Sequence, residues 1–248
     1  MSSTILPLDG RVAIVTGSSR GIGAATARLF ARSGARVVLS SRTLPEANQV
    51  AQAIDAEICE TLGKGRVIAV RADVGIEADI QNLFSESRNQ FGPVDILVNN
   101  AAIATPGTLE QMTAAQWDEL MAINLRGPFL CSREAFAQMT GRGGSIINIS
   151  SLGGIRGTPK FPGLSAYVTS KFGIVGLTES LAVEGKPLGI RVNCVAPGAV
   201  DTQMLRQAAP FLKTSTTPED VAKTLLFLAD SSQSGCITGS VVEIHSNL

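Results

Sequence analysis

Seven short apolar runs punctuate the chain: "RVAIVT" (11–16), "RVVLSS" (36–41), "RVIAV" (66–70), "VDILVN" (94–99), "SIINIS" (145–150), "IRVNCV" (190–195) and "SVVEI" (240–244). Most are apolar nearly from end to end. Strands of that kind are buried on both faces, which is the pattern of a parallel sheet beneath crossover helices. Helical stretches fill most of the gaps. "GIGAATARLFARSG" carries helical periodicity and stops at Gly34, and a further helix covers roughly 45–62. The alternation predicts an α/β fold, a doubly wound parallel sheet of seven strands with helices on both faces. No repeat, low-complexity linker or break in composition interrupts it, so residues 1–248 read as one domain.

Composition excludes several classes. Lys plus Arg balances Asp plus Glu at 21 each, so the basic excess of a nucleic-acid binder is missing. No apolar run reaches the roughly 18 residues of a membrane span. The opening "MSSTILPLDG" has neither a charged n-region nor a long apolar core, so no signal peptide is expected. Cys59, Cys131, Cys194 and Cys236 are scattered, and His245 is the only histidine, so no metal site is expected. Four buried free thiols in the cytoplasm is the corresponding expectation. The last three residues, Ser-Asn-Leu, lack the basic middle residue of a peroxisomal S-K-L tail.

"VTGSSRGIGAA" follows the first strand and opens the first helix. Gly17, Gly21 and Gly23 are spaced G-x-x-x-G-x-G, with Ser19, Arg20 and Ile22 between them. Glycine permits a tight turn and close backbone approach, and a helix N-terminus attracts a pyrophosphate, so the turn predicts a dinucleotide in a Rossmann-type fold. An ordinary strand-to-helix turn also uses glycine; its place after the first strand of an alternating chain favours the nucleotide. The second strand addresses which nucleotide. Where NAD enzymes carry an acid for the ribose 2′-hydroxyl, this strand ends Ser40-Ser41-Arg42. Arg42 can bond a 2′-phosphate, Ser41 can donate to it, and Arg20 supplies a second cation, which points to NADP.

Tyr167 is the only tyrosine, and Lys171 follows it by one helical turn. A half-buried ring beside a surface lysine would look the same. A free phenol has a pKa of about 10, however, and a cation within reach favours its ionised form. A phenol tuned toward neutrality can act as general acid or base. Pro128 has no N–H to give the carbonyl four residues back, that of Asn124, so a kink there would free that oxygen for water, or would bend the helix with Asn124 capping the bend.

With these residues in place, the chain resembles the short-chain dehydrogenase/reductase family over nearly its full length. "TGSSRGIG" resembles the family's TGxxxGxG, "VNNAA" (98–102) its NNAG with Ala102 for the glycine, and "INLRGPF" its active-site asparagine element. "IINISS" and "AYVTSK" resemble its Ser and YxxxK elements, and "VAPGAVDT" (195–202) its PG motif. The resemblance implies catalysis by Asn124, Ser151, Tyr167 and Lys171, with Tyr167 as acid/base and Lys171 lowering its pKa and holding the nicotinamide ribose. Ser151 would polarise the carbonyl, and Ser150 reads as an inward hydroxyl. It further implies that Asp73 and Val74 contact adenine, that Asn100 and Ala101 flank the riboses, and that Pro197, Gly198, Val200 and Thr202 clamp the carboxamide. Asp73 reads nearly as well as a helix N-cap.

The activity implied is reduction of a ketone or aldehyde by NADPH, or the reverse. A 3-oxoacyl-thioester reductase is the alternative. A non-catalytic nucleotide-binding regulator would tolerate loss of Ser151, Tyr167 or Lys171, and all three are present. A homo-oligomer, tetramer or dimer, is also implied, although "EIHSNL" replaces the family's usual di-glycine ending. Residues 159–162, Pro-Lys-Phe-Pro, look like a small insertion beside the site, and the stretch after Thr202 should carry the substrate lid. Leu152, Ile155, Phe161, Leu164 and Leu205 make the expected pocket apolar. No buried charge is evident to grip a carboxylate, which points to an uncharged substrate.

Overall fold

A computed structural model describes residues 6–246. The first five residues, and Asn247 and Leu248 of the tail compared with S-K-L, lie outside the described residues. The chain runs β1 (Val12–Thr16), α1 (Gly21–Arg32), β2 (Arg36–Ser41), α2 (Leu44–Leu62), β3 (Val67–Arg71), α3 (Glu77–Phe91), β4 (Ile96–Asn99) and α4 (Ala114–Met121). It continues through α5 (Gly127–Met139), β5 (Gly144–Ile149), α6 (Ser165–Gly185), β6 (Ile190–Pro197), α7 (Gln203–Ala208), α8 (Pro218–Ala229), α9 (Ser231–Ser234) and β7 (Val241–Ile244). Each apolar run read from the sequence becomes one strand.

Among the described residues the strands form one parallel sheet in the order β3-β2-β1-β4-β5-β6-β7. The chain therefore winds outward twice, from β1 to one edge and from β4 to the other. This is the doubly wound Rossmann-type architecture, and the reversal between β1 and β4 opens a crevice at the carboxyl ends of the strands.

Burial follows the pleat. Ala13 and Val15 of β1 enter a core with Phe30, Ile54 and Leu225 from α1, α2 and α8. Val12 and Ile14 enter the opposite core with Leu83, Phe84 and Leu130 from α3 and α5. Both faces are covered, which is why period-2 alternation is absent from these strands. Burying a side chain such as Phe30 or Phe84 stabilises the fold by about 1.5–3 kcal/mol. At the amino-terminal edge of the sheet, buried Asp95 accepts from the Val12 N–H at 2.9 Å and pairs with Arg142 at 2.9 Å. That end is closed by structure and the other end is left for chemistry.

The thiols depart from expectation. Cys131 and Cys194 are buried, Cys59 is half-buried and Cys236 is exposed; all four are free. Burial pushes the Cys131 thiol up to about 12 and the Cys194 thiol up to about 11. Neither is an ionised nucleophile at neutral pH. No helix among the described residues is long and apolar enough to cross a membrane.

Candidate active site

The crevice holds two adjoining cavities of about 490 and 380 Å³. They share Ile22, Ala102, Ala104, Thr202, Met204 and Ala208, so they form one elongated groove. Gly17, Ser19, Arg20, Gly21, Ile22, Ser41, Arg42, Asp73, Val74, Asn100 and Ala101 line the first. Ser151, Tyr167, Lys171, Pro197, Gly198, Val200 and Thr202 line the second. Gly23 lies behind the first cavity, packed against the Asn100 amide.

The glycine turn is held from β4. Asn100 Nδ2 donates to the Thr16 and Gly17 carbonyls at 2.8 and 2.9 Å. Gly17 has φ +62°, and a Cβ there would sit 2.7 Å from Ala101 Cα. Only glycine meets both conditions. The amides that open α1 thus face the groove in a fixed position, as an anion requires.

At the end of β2, Ser41 Oγ and Ser19 Oγ lie 3.3 Å apart. Arg42 is more than half exposed and reaches Asp73 at 4.0 Å. Arg20 bonds Gln203 at 3.1 Å. This donor set suits a phosphate-bearing ribose. Asp73, the acid of this cavity, is at the end of β3 and turns its own loop by accepting from Gly75 N–H at 2.9 Å. It does not cap α3, whose first turn follows Ile76.

The catalytic candidates converge through α6. Ser151 follows β5 and accepts from Gly153 N–H at 3.1 Å within a single 3-10 turn, Leu152–Gly154. Gly154 lets that turn press on α6, since a Cβ there would lie 2.6 Å from the Lys171 carbonyl carbon. Ser150 turns inward and donates to the Lys171 carbonyl at 2.8 Å. Ser151 is left on the wall of the cavity that the Tyr167 phenol also lines.

Lys171 is 3% exposed. Its Nζ donates to the Ile149 carbonyl at 2.9 Å and stands 5.6 Å from the centroid of the Tyr167 ring. Burial pulls the ammonium down to about 8. The phenol moves the other way: burial raises it, and only the neighbouring Ser151 hydroxyl opposes the rise. The downward shift expected from Lys171 is therefore not what this arrangement produces. The ammonium faces the ring and the Ile149 carbonyl, and the net effect on the hydroxyl is set by desolvation.

Asn124 lines neither cavity and is 1% exposed. Its Oδ1 accepts from Ile103 N–H and its Nδ2 donates to the Ile103 carbonyl, both at 2.8 Å. Nδ2 also reaches Ser170 Oγ at 3.2 Å, and that hydroxyl donates to the Tyr167 carbonyl at 2.7 Å. The local break expected at Pro128 is a π-helical turn, Ala122–Arg126, joining α4 to α5, with Gly127 N–H bonded to the Ala122 carbonyl five residues back. Proline then sits in the first turn of α5, where its missing N–H costs little.

Several contributors were not singled out in the sequence. Asn99 donates to Asn148 Oδ1 at 2.8 Å and to Ser132 at 3.2 Å, and Asn148 donates to Thr178 at 2.9 Å, locking β4, β5, α5 and α6 beneath the site. Asparagines inside apolar strands were the available signal. Met204 and Ala208 of α7 roof the groove, and Phe161 meets Phe211 edge to face at 5.5 Å. Leu152, Leu164 and Leu205 line the second cavity, whereas Ile155 does not. Two exposed polar side chains, Lys160 and His245, line the same cavity.

A doubly wound sheet with a glycine turn at its switch point and a Ser–Tyr–Lys cluster beside it defines a dinucleotide-dependent oxidoreductase. The chain belongs to the short chain dehydrogenase family, whose model matches residues 11–212. It is 37% identical to a (2S)-[(R)-hydroxy(phenyl)methyl]succinyl-CoA dehydrogenase subunit of Thauera aromatica, over 96% of each chain. It is 44% identical to an NADPH-dependent aldehyde reductase of Arabidopsis thaliana, over 82% of this chain and 77% of that one. Among solved structures it is similar to a 3-ketoacyl-(acyl-carrier-protein) reductase from Brucella melitensis complexed with NADH, with TM-score 0.86, 32% identity, and coverage of 96% and 97%.

Proposed function

We propose that the protein is an NADP(H)-dependent carbonyl reductase and alcohol dehydrogenase, acting as one domain with Tyr167 as general acid/base. The observation that carries this reading is the Ser151–Tyr167–Lys171 cluster, with Lys171 buried, at the end of a groove whose far end bears Ser41, Arg42 and Arg20. The cradle residues suit NADP: the Gly17 turn offers amides for the pyrophosphate, and β2 ends without an acid. When bound, the nicotinamide cofactor supplies or accepts the hydride. Asp73, Val74, Asn100 and Ala101 would flank its adenosine and riboses, and Pro197, Gly198, Val200 and Thr202 its carboxamide.

The remaining chemistry belongs to side chains. Ser151 Oγ bonds the substrate oxygen and orients it toward Tyr167. The phenol, protonated at neutral pH as any phenol is and shifted further up by its burial, gives its proton to that oxygen as the alcohol forms. Lys171 places a positive charge next to the phenolate left behind, which stabilises it until a proton returns. Asn124 acts through Ser170 and the backbone of Tyr167, fixing the turn of α6 that carries the phenol. A phenol protonated at rest suits carbonyl reduction, whereas alcohol oxidation must first remove that proton. Reduction should hold its rate through neutral pH while oxidation climbs as pH rises. A flat oxidation profile would show that Tyr167 is not the proton carrier.

The likeness to a 3-ketoacyl-(acyl-carrier-protein) reductase supports a second reading, reduction of a 3-oxoacyl thioester. One experiment addresses cofactor and substrate together: steady-state kinetics with NADPH and NADH against ketones, aldehydes and an acetoacetyl thioester. A specificity constant highest for the thioester would replace the first reading with the second. Equal or better use of NADH would overturn the NADP assignment. Free thiols suit a reducing compartment such as the cytoplasm, and we infer a homo-oligomer, dimer or tetramer, from the family.

A further inference from the structure

We propose that the substrate carries an anionic group on an apolar body, and that Lys160 and His245 receive that group at the rim of the second cavity. The inference rests on the carbonyl-reductase reading and narrows its substrate class. Apolar side chains such as Leu152, Phe161 and Leu205 supply most of that cavity's wall, and among the described residues no aspartate or glutamate lines it. Its titratable groups are Tyr167, the buried Lys171, Lys160 and His245.

Lys160 is a fixed, uncompensated charge. Its Nζ donates to the Ile155 carbonyl at 2.6 Å, the Thr158 carbonyl at 3.0 Å and the Thr158 hydroxyl at 2.6 Å, and stands 5.3 Å from the Phe172 ring centroid. All these partners are neutral. They hold the ammonium in place without cancelling it, and no ion pair involves Lys160 among the described residues. His245 arrives from the other end of the chain, just past β7. Gly198 N–H bonds the Ile244 carbonyl at 2.8 Å, and Ala199 N–H bonds Ser246 Oγ at 3.0 Å, so the histidine between those two residues is docked beside the 197–202 loop. One imidazole nitrogen lies 3.2 Å from Glu243, leaving the other for a ligand. A cation held over a mostly apolar wall that no described carboxylate lines favours an anion there over the neutral analogue.

The test compares a cyclohexanone bearing a ring carboxylate with the methyl ester of the same compound, using NADPH and the full chain. The wild type should prefer the keto acid by about tenfold in kcat/KM, which is about 1.4 kcal/mol. Lys160→Met should remove that preference, Lys160→Arg should keep it, and His245→Gln should weaken it. If Lys160 only braces its loop, Lys160→Met lowers both substrates alike, and the proposal fails. An ester used as well as the acid by the wild type, with no Lys160-dependent preference between the thioesters below, also overturns it while the reductase reading stands. A parallel arm compares acetoacetyl thioesters of phosphopantetheine and of N-acetylcysteamine. A Lys160-dependent preference confined to the phosphorylated thioester supports the anion site and assigns the anion to a carrier arm. No turnover of any of the four compounds overturns the reductase reading and this proposal together.

Discussion

Lys171 and the Arg20–Arg42 pair are both cations facing the same groove, yet their surroundings are opposite. Lys171 is almost wholly buried and its ammonium is pulled down to about 8. Arg42 keeps more than half its side chain in water and touches one carboxylate at 4.0 Å. Burial makes a cation adjustable but destabilising to the fold; exposure leaves it constant and harmless, with a contribution weakened by solvent. The first suits proton chemistry, which needs a group near its midpoint. The second suits discrimination between two dinucleotides, which needs only a charge that never titrates.

Substitutions can break this contrast at either end. The largest effect belongs to the buried end: Tyr167→Phe should lower turnover at least about a hundredfold, the scale of general acid–base catalysis, while NADPH binding survives. Single-turnover kinetics and a fluorescence titration check the two halves. Next comes Lys171→Met, which should abolish most activity and yet stabilise the fold. The unfolded lysine titrates at 10.5 and the folded one at about 8, so the unfolded chain binds more protons between those values. Wild-type stability should therefore rise with pH across that window, and below it the full cost, about 3 kcal/mol, is present. Lys171→Met should gain up to that amount, less the lost bond to the Ile149 carbonyl, and lose the alkaline slope. Urea unfolding at neutral and alkaline pH would show it; a destabilised variant with the slope intact would mean that Lys171 is not desolvated.

Changes at the exposed end are smaller and confined to cofactor choice. Ser41→Asp should reverse a preference for NADPH that we expect to be about tenfold or more, since it repels a 2′-phosphate and offers a carboxylate to the NADH ribose. Arg42→Ala should erode the preference without changing stability. The nearby Asp73 offsets part of this charge, which places the preference toward the low end of what charge-assisted bonds allow, about 1.5–3 kcal/mol each. Arg20→Ala should have the least effect, a few-fold, because its guanidinium already bonds Gln203. Comparing kcat/KM for both cofactors across these variants orders them, and a larger loss from Arg20→Ala than from Arg42→Ala would invert the assignment.

The sheet was legible in the sequence because parallel strands must be apolar on both faces, and the glycine turn because Gly17 needs a positive φ and close approach to Ala101. Tyr167 and Lys171 were legible as a pair because both lie on one helix. What remained hidden depends on tertiary placement. Nothing local in "EIHSNL" shows that His245 docks beside the 197–202 loop, since that contact joins β7 to the end of β6. The direction of the phenol shift was hidden for the same reason. Helical spacing measures the distance to Lys171 but not the water removed from the ring. Nor does a proline signal tell a kink from a π turn.

That π turn at Ala122–Arg126 also sets the phase of everything after it. An α-helix advances about 100° per residue, so α4 and α5 are joined across a slip in rotation. Removing one residue there would let a continuous α-helix form and would turn Leu130, Cys131 and Ala135 away from the core they now fill. For this segment the alphabet of tolerated change includes substitutions but not a change of length.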